Sequence, residues 1–232
     1  MKVFQPFIAA LIISVFAVSS ASAAEEAEAS SEWEKITEIN GIVGYSRPTS
    51  RSGVYEIKAI GIMDASIAVI EAVLRDDPAR TQYSERCTEA FRVDIPGLKS
   101  SKDTYYIYHR LGMPWPFYDR DGVAKAMFRI DEETGALIWQ AHTIATDFRE
   151  DDWCVLRVPI VDAKWILTPL GENKTRAHYQ ILADPGGYLP TFLVNMMSED
   201  LAVKTIAGIR EMVKKDKYKK AKDVVTTTPL TK

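Results

Sequence analysis

Cysteine occurs only twice in these 232 residues, and histidine only three times. Two cysteines are too few for a disulfide-built scaffold. In an oxidising compartment the pair Cys87 and Cys154 permits one bond, and two buried thiols fit the spacing equally well. His109, His142 and His178 stand singly, none at metal-ligand spacing. The longest apolar run, Phe7 to Val18, falls short of the ~20 residues that cross a bilayer. Positive charge is not in excess: the net charge of −3 argues against nucleic acid as the main partner. Gly186-Gly187 is no phosphate fingerprint, and Glu150-Asp151-Asp152 lacks the alternate ligands and glycine of a calcium loop. No local motif supports a Ser-His-Asp set. Neither a metal, a cofactor nor a catalytic group is expected.

What is present begins with a leader. Lys2, the apolar run and the small residues Ala21-Ser22-Ala23 have the form of a secretory signal peptide, cut after Ala23. That predicts an exported protein in a periplasm. Residues 24–31 are acidic and rich in Ala and Ser, a disordered lead-in. Residues 32–215 show no repeat or composition break and are expected to form one domain, followed by a basic polar tail over 216–232. At 47% hydrophobic, such a domain can bury a large core and still hold a ligand. A monomer is expected.

Most of the domain alternates with period two, as half-buried antiparallel strands do. Ile57 and Ala59 alternate with Glu56 and Lys58, and Phe91, Val93 and Ile95 with Arg92 and Asp94. Ala124, Ala126 and Phe128 alternate with Lys125 and Arg129, and Ala177, Tyr179 and Ile181 with His178 and Gln180. Further strands are expected over 104–110, 136–145, 155–161 and 164–170. Around Trp33 and Ile36 the chain reads as a short amphipathic stretch. Two segments have helical period: 64–74, with Asp64 as N-cap, and about 190–215, whose apolar stripe includes Phe192, Met196 and Ile206. Sheet followed by long helix gives an α+β class.

Several local sequences, in order, resemble the START domain, the steroidogenic acute regulatory protein-related lipid-transfer family. Arg120-Asp121 opens a strand after Met113-Pro114-Trp115-Pro116. Ala145-Thr146-Asp147-Phe148 precedes Val155-Leu156-Arg157, and Trp165-Ile166-Leu167-Thr168-Pro169 matches the next strand. Asp184-Pro185-Gly186-Gly187-Tyr188-Leu189-Pro190 leads into the last helix, with Asn195 six residues past Leu189. The resemblance runs from about Val54 to Arg210. It implies a helix-grip fold: a curved antiparallel sheet around a long C-terminal helix, with one lipid in an internal apolar cavity. It also implies a gate loop, here containing Asp147 and Phe148.

Alternation and the resemblance together place Tyr105, Ile107, His109, Ala126, Phe128, Tyr179, Phe192 and Met196 in the pocket. His142 joins them from a strand whose faces the pattern does not separate. Two readings stay open for His109: a donor to a lipid head, or a core histidine bonded to backbone. The buried acid–base pair of the family's sterol carriers is absent, because its positions hold His109 and Ala126. A lipid is therefore expected and a sterol is in doubt. Lys214, Lys215, Lys217, Lys219, Lys220 and Lys222 suit either transient contact with anionic membrane or a solvated helix end. The rival function is a helix-grip enzyme acting on an apolar substrate, with His109 or His142 as acid–base group.

Overall fold

The computed structural model describes residues 32–50, 54–148, 154–157, 160–184, 186, 189–190, 194 and 200–230. The leader, the lead-in, Phe192 and Met196 lie outside them. Trp33–Lys232 forms one compact unit.

The described residues open with a hairpin, whose first strand contains Ile36 of the short amphipathic stretch. β1 (Glu34–Ile39) and β2 (Ile42–Pro48) are joined by Asn40-Gly41. Both turn residues have positive φ, 52° and 70°, as a two-residue hairpin turn matched to strand twist requires. β3 (Tyr55–Met63) follows, then the helix α1 (Ile67–Leu74) and a 3₁₀ turn over Asp77–Gln82. Asp64 is not the cap of α1. Ser66 is, and its hydroxyl accepts from the Val69 amide at 3.4 Å. The remaining strands are β4 (Cys87–Val93), β5 (Thr104–Leu111), β6 (Asp119–Ile130), β7 (Leu137–Ile144), β8 (Val155–Arg157), β9 (Ile160–Gly171) and β10 (Lys174–Asp184). The stretch 155–161, expected as one strand, is divided between β8 and β9. After β10 come the helix α2 (Leu201–Met212) and the short helix α3 (Asp216–Lys219).

The strands form a single curved sheet in the order β1-β2-β3-β10-β9-β7-β6-β5-β4. Every pairing is antiparallel except that of β8, which lies parallel to the start of β6. Helices α1 and α2 cover the inner face, and the main core lies between: Ile57, Ala59, Phe128, Trp165 and Leu167 from the sheet, Ile70 and Leu74 from α1, Ile206 and Ile209 from α2. Small residues let α2 approach. A Cβ at Gly44 would stand 2.8 Å from Val203, and one at Gly208 would stand 2.7 Å from the Tyr83 carbonyl oxygen. The outer face of β4–β6 carries a second cluster of Val93, Ile95, Tyr106, Tyr108 and Val123. The apolar side of β4 read from the sequence thus faces away from the cup.

Residues 216–230, expected as a basic polar tail, are mostly exposed but bond back onto the domain. Tyr218 is buried, and its hydroxyl donates to Asp76 at 2.6 Å. Pro229 bridges Ile130 at the end of β6, and backbone bonds run both ways between Ile130 and residues 228 and 230.

Candidate functional site

A cavity of about 110 Å³ opens off the inner face of the sheet. Its apolar wall comes from alternate strand residues: Ile107 and Leu111 on β5, Ala124 on β6, Trp139 and Ala141 on β7, Ala163 on β9, and Tyr179, Ile181 and Ala183 on β10. The three inward alanines on β6, β7 and β9 leave room where larger side chains would meet. Leu201 closes the α2 side, and Arg80, Ser84, Glu85 and Cys87 form the remaining wall.

Ser84, Glu85, His109 and Arg80 bring polar groups to this greasy space, and the last two also carry a buried nitrogen with no partner in the protein. His109 is enclosed, and its Nε2 has no hydrogen-bond partner within the protein. Desolvation, aided by the positive charge of Arg80, lowers its pKa to about 4, so the ring is neutral near pH 7. Arg80 comes from the 3₁₀ turn. Its guanidinium lies 3.4 Å from Asp77 and 5.1 Å from the Trp139 ring centre. Burial opposes its charge, but Tyr83 and Asp77 more than compensate, and the net pKa shift is upward. Asp77 is fully buried and divided between two arginines, since Arg92 Nε also donates to it at 2.9 Å.

Arg80 Nε, His109 Nε2 and Trp139 Nε1 all lack a protein hydrogen-bond partner, as do the buried hydroxyls of Tyr83 and Tyr105. Burying a polar group without a partner costs about 1–3 kcal/mol. Three of these groups, on Arg80, His109 and Trp139, belong to residues that line the cavity, so hydrogen-bonding groups converge there on apolar surroundings, the usual make-up of a small-molecule site.

The neutral His109 has a consequence for stability. In the unfolded chain its pKa returns to about 6.5. Between pH 6.5 and 4 the unfolded state therefore binds more protons, and stability falls as pH drops through that window. The loss attributable to His109 is expected to reach about 2 kcal/mol by pH 5. Urea unfolding at pH 7.5 and pH 5 checks this: His109→Phe should show a smaller difference between the two midpoints than the parent. An equal difference would disprove the assignment.

The expected pocket residues divide into four groups. Ile107, His109 and Tyr179 line the cavity. Tyr105, Ala126 and Phe128 share its face of the sheet but lie in the packed core; Tyr105 and Phe128 stack with ring centres 6.2 Å apart. His142 does not belong to the pocket. It is opposite Lys125 and Asp162 in register, and the inward positions of β7 are Leu137, Trp139 and Ala141. Phe192 and Met196 lie outside the described residues. Of the gate loop, Asp147 is exposed, while Phe148 sits against Tyr108 on the outer face at 6.1 Å, away from the cavity. Cys87 and Cys154 are not joined in a disulfide, and burial raises the Cys87 pKa. Among the described residues no three His, Cys, Asp or Glu side chains cluster as metal ligands. Arg80 was not anticipated: in Asp76-Asp77-Pro78-Ala79-Arg80 nothing periodic marks a buried side chain.

A curved antiparallel sheet gripping a C-terminal helix over an apolar cavity defines a helix-grip protein. The family model of the START domain matches residues 16–219, and the chain belongs to that family. An uncharacterised protein of Pseudomonas aeruginosa is 26% identical to it, over 88% of this chain and 95% of that one. The phosphatidylcholine transfer protein of Mus musculus is 24% identical, over 73% of this chain and 78% of its own. Among solved structures, the STAR-related lipid transfer protein of Xanthomonas axonopodis superposes with a TM-score of 0.69 at 24% identity, over 79% of this chain and 99% of that one.

Proposed function

We propose that this protein is exported and binds a single lipid in the cavity, with an anionic oxygen of the lipid's polar end on Arg80 and the acyl part along the alanine-lined wall. The observation that carries the reading is a charged, buried arginine aimed into an apolar cavity beside unpartnered donors. An apolar chain removed from water gains about 25 cal/mol per Å², so few polar contacts are needed to hold it. Ligand pockets commonly measure about 300–1,000 Å³, and this cavity is smaller, so a whole lipid widens it on entering. Trp115, 93% exposed in the β5–β6 loop next to cavity-lining Leu111, is a residue suited to a membrane interface. Lys214 and Lys219 instead pair with Glu211 and Asp216 three residues away, and Lys215 and Lys217 bond Gln82 and Asp76 at the two ends of the 3₁₀ turn.

Native mass spectrometry of protein purified from its own compartment tests the proposal. One lipid per chain is expected, together with Ala163→Phe protein that folds but carries none, because a phenyl ring there occupies the space between β7 and β10. Undiminished lipid in Ala163→Phe would refute this location. Turnover of a substrate, abolished in His109→Ala, would favour the enzyme reading instead.

A further inference from the structure

Two neighbouring side chains at the start of β6 bond to segments at the end of the sheet where Leu111, Val161 and Ala183 line the cavity, the end we take as its mouth. Arg120 is opposite cavity-lining Leu111 in register, and residues directly opposite in an antiparallel pair share a face. Arg120 therefore points inward, and it is only 2% exposed. Its Nη1 donates to the Tyr118 carbonyl, and its Nη2 donates to the Gly186 carbonyl at 3.2 Å. Tyr118 belongs to the β5–β6 loop that carries Trp115, and Gly186 follows β10 on the way to α2. Asp121 points to the outer face. Its carboxylate accepts from Arg157 Nε at 2.7 Å and from the Tyr108 hydroxyl at 3.1 Å. Arg157 in turn donates from Nη1 to the Thr146 carbonyl at 3.1 Å. One dipeptide thus bonds to Tyr118 in the β5–β6 loop, to Gly186 after β10 and to Arg157 of β8, which in turn holds Thr146.

The residue types fit this task. A guanidinium is a planar fork that reaches two carbonyls at fixed angles, which an ammonium cannot reproduce. Charge-assisted bonds are roughly twice as strong as neutral ones, so each contact resists opening more than an ordinary turn hydrogen bond. Burial makes release all-or-none: half-released, Arg120 would keep its desolvation cost without its partners.

We propose that Arg120 and Asp121 are positioning residues that clamp the cavity mouth and set the rate at which ligand enters and leaves. The clamp stands on geometry alone, and its effect on ligand exchange rests on the lipid reading above. Hydrogen–deuterium exchange of the full chain tests the first part. In Arg120→Lys the amides of Met113, Trp115, Phe117 and Tyr118 should exchange about tenfold faster, the factor expected from losing one charge-assisted bond, while the middle of β6 stays protected. Asp121→Asn should do the same at Thr146 and Arg157, and it carries the test if Arg120→Lys does not fold. Unchanged exchange in these segments overturns the clamp whether or not the protein binds lipid. For the second part, release of a fluorescently tagged phospholipid from loaded protein to acceptor vesicles should quicken about tenfold in Arg120→Lys, with equilibrium binding altered far less. Loosened amides with an unaltered release rate overturn the rate-setting role. If the parent takes up no lipid at all, the functional reading fails and the exchange data still decide the clamp.

Discussion

A chain ended at Asp223 is expected to lose about 3 kcal/mol of stability or more, although it gives up only a short segment that reads as polar. The reason lies in α1. Glu71 is fully buried, an expensive place for a carboxylate unless every lone pair is engaged. Its oxygens accept from the Val225 amide at 2.7 Å, the Thr226 amide at 3.0 Å, the Thr226 hydroxyl, and Arg75 Nε at 2.9 Å. Arg75 also bonds Asp103 at 3.0 Å, and Asp103 accepts from the Thr228 hydroxyl at 2.7 Å. Removing residues 224–232 takes away three of the four donors to Glu71. Hydrogen bonds to charged groups are worth about 1.5–3 kcal/mol each, and water reaching the opened site returns part of the loss. Glu71→Leu in the full chain attacks the same network from the other side. It takes one carboxylate from Arg75, which keeps Asp103, and leaves the Val225 and Thr226 amides without their acceptor, for a loss of about 3 kcal/mol. Because both changes break one network, the double variant should fall well short of their sum. Urea unfolding midpoints measure all three. A truncated chain with the parent's midpoint would show that the segment contributes nothing.

That network also shows where the sequence stops being legible. Strands β3, β4, β6 and β10 were readable from period-two alternation, and β5, β7 and β9 as apolar runs set off by turn residues. His109 was placed in the pocket by alternation together with the family resemblance. The β1–β2 hairpin was missed although Asn40-Gly41 is a hairpin signal in its own right; its strands bury little and alternate weakly. Glu71 carried a signal that went unused. It stands four residues after Ile67 and three before Leu74, on the apolar stripe of α1, where a carboxylate must be either a misfit or a buried partner. Arg80 had no such mark. Its burial comes from a 3₁₀ turn lying against the sheet and from Gly208 letting α2 press on Tyr83, and neither contact leaves a local pattern. His142 was misassigned because β7 is apolar at successive positions Leu137, Ile138 and Trp139, so its faces separate only once the register with β6 and β9 is known. Phe148 resembles a gate residue in its local sequence, yet the outer-face cluster around Tyr108 supplies it with a packing site that strand alternation alone does not reveal.

Arg80→Leu should separate binding from stability, and in opposite directions. Replacing a buried charge by an apolar side chain of similar size is often neutral or stabilising, provided no partner is left uncompensated. Asp77 meets that condition, because Arg92 still bonds it at 2.9 Å. The Trp139 ring that Arg80 now overlies would gain an ordinary apolar neighbour. The unfolding midpoint of Arg80→Leu is therefore expected to equal or exceed that of the parent. Lipid binding should fall about a hundredfold, the effect of losing two charge-assisted hydrogen bonds at about 1.5 kcal/mol each. Arg80→Lys keeps the charge but not the fork, and should fall between the two. Extraction of labelled phospholipid from vesicles reads the affinity, and urea unfolding of the same samples reads the stability. A purely structural arginine would give the reverse result: a weakened fold with binding reduced only in step with it. The expected split, tighter folding with lost binding, is the mark of a residue kept buried for a ligand rather than for the core.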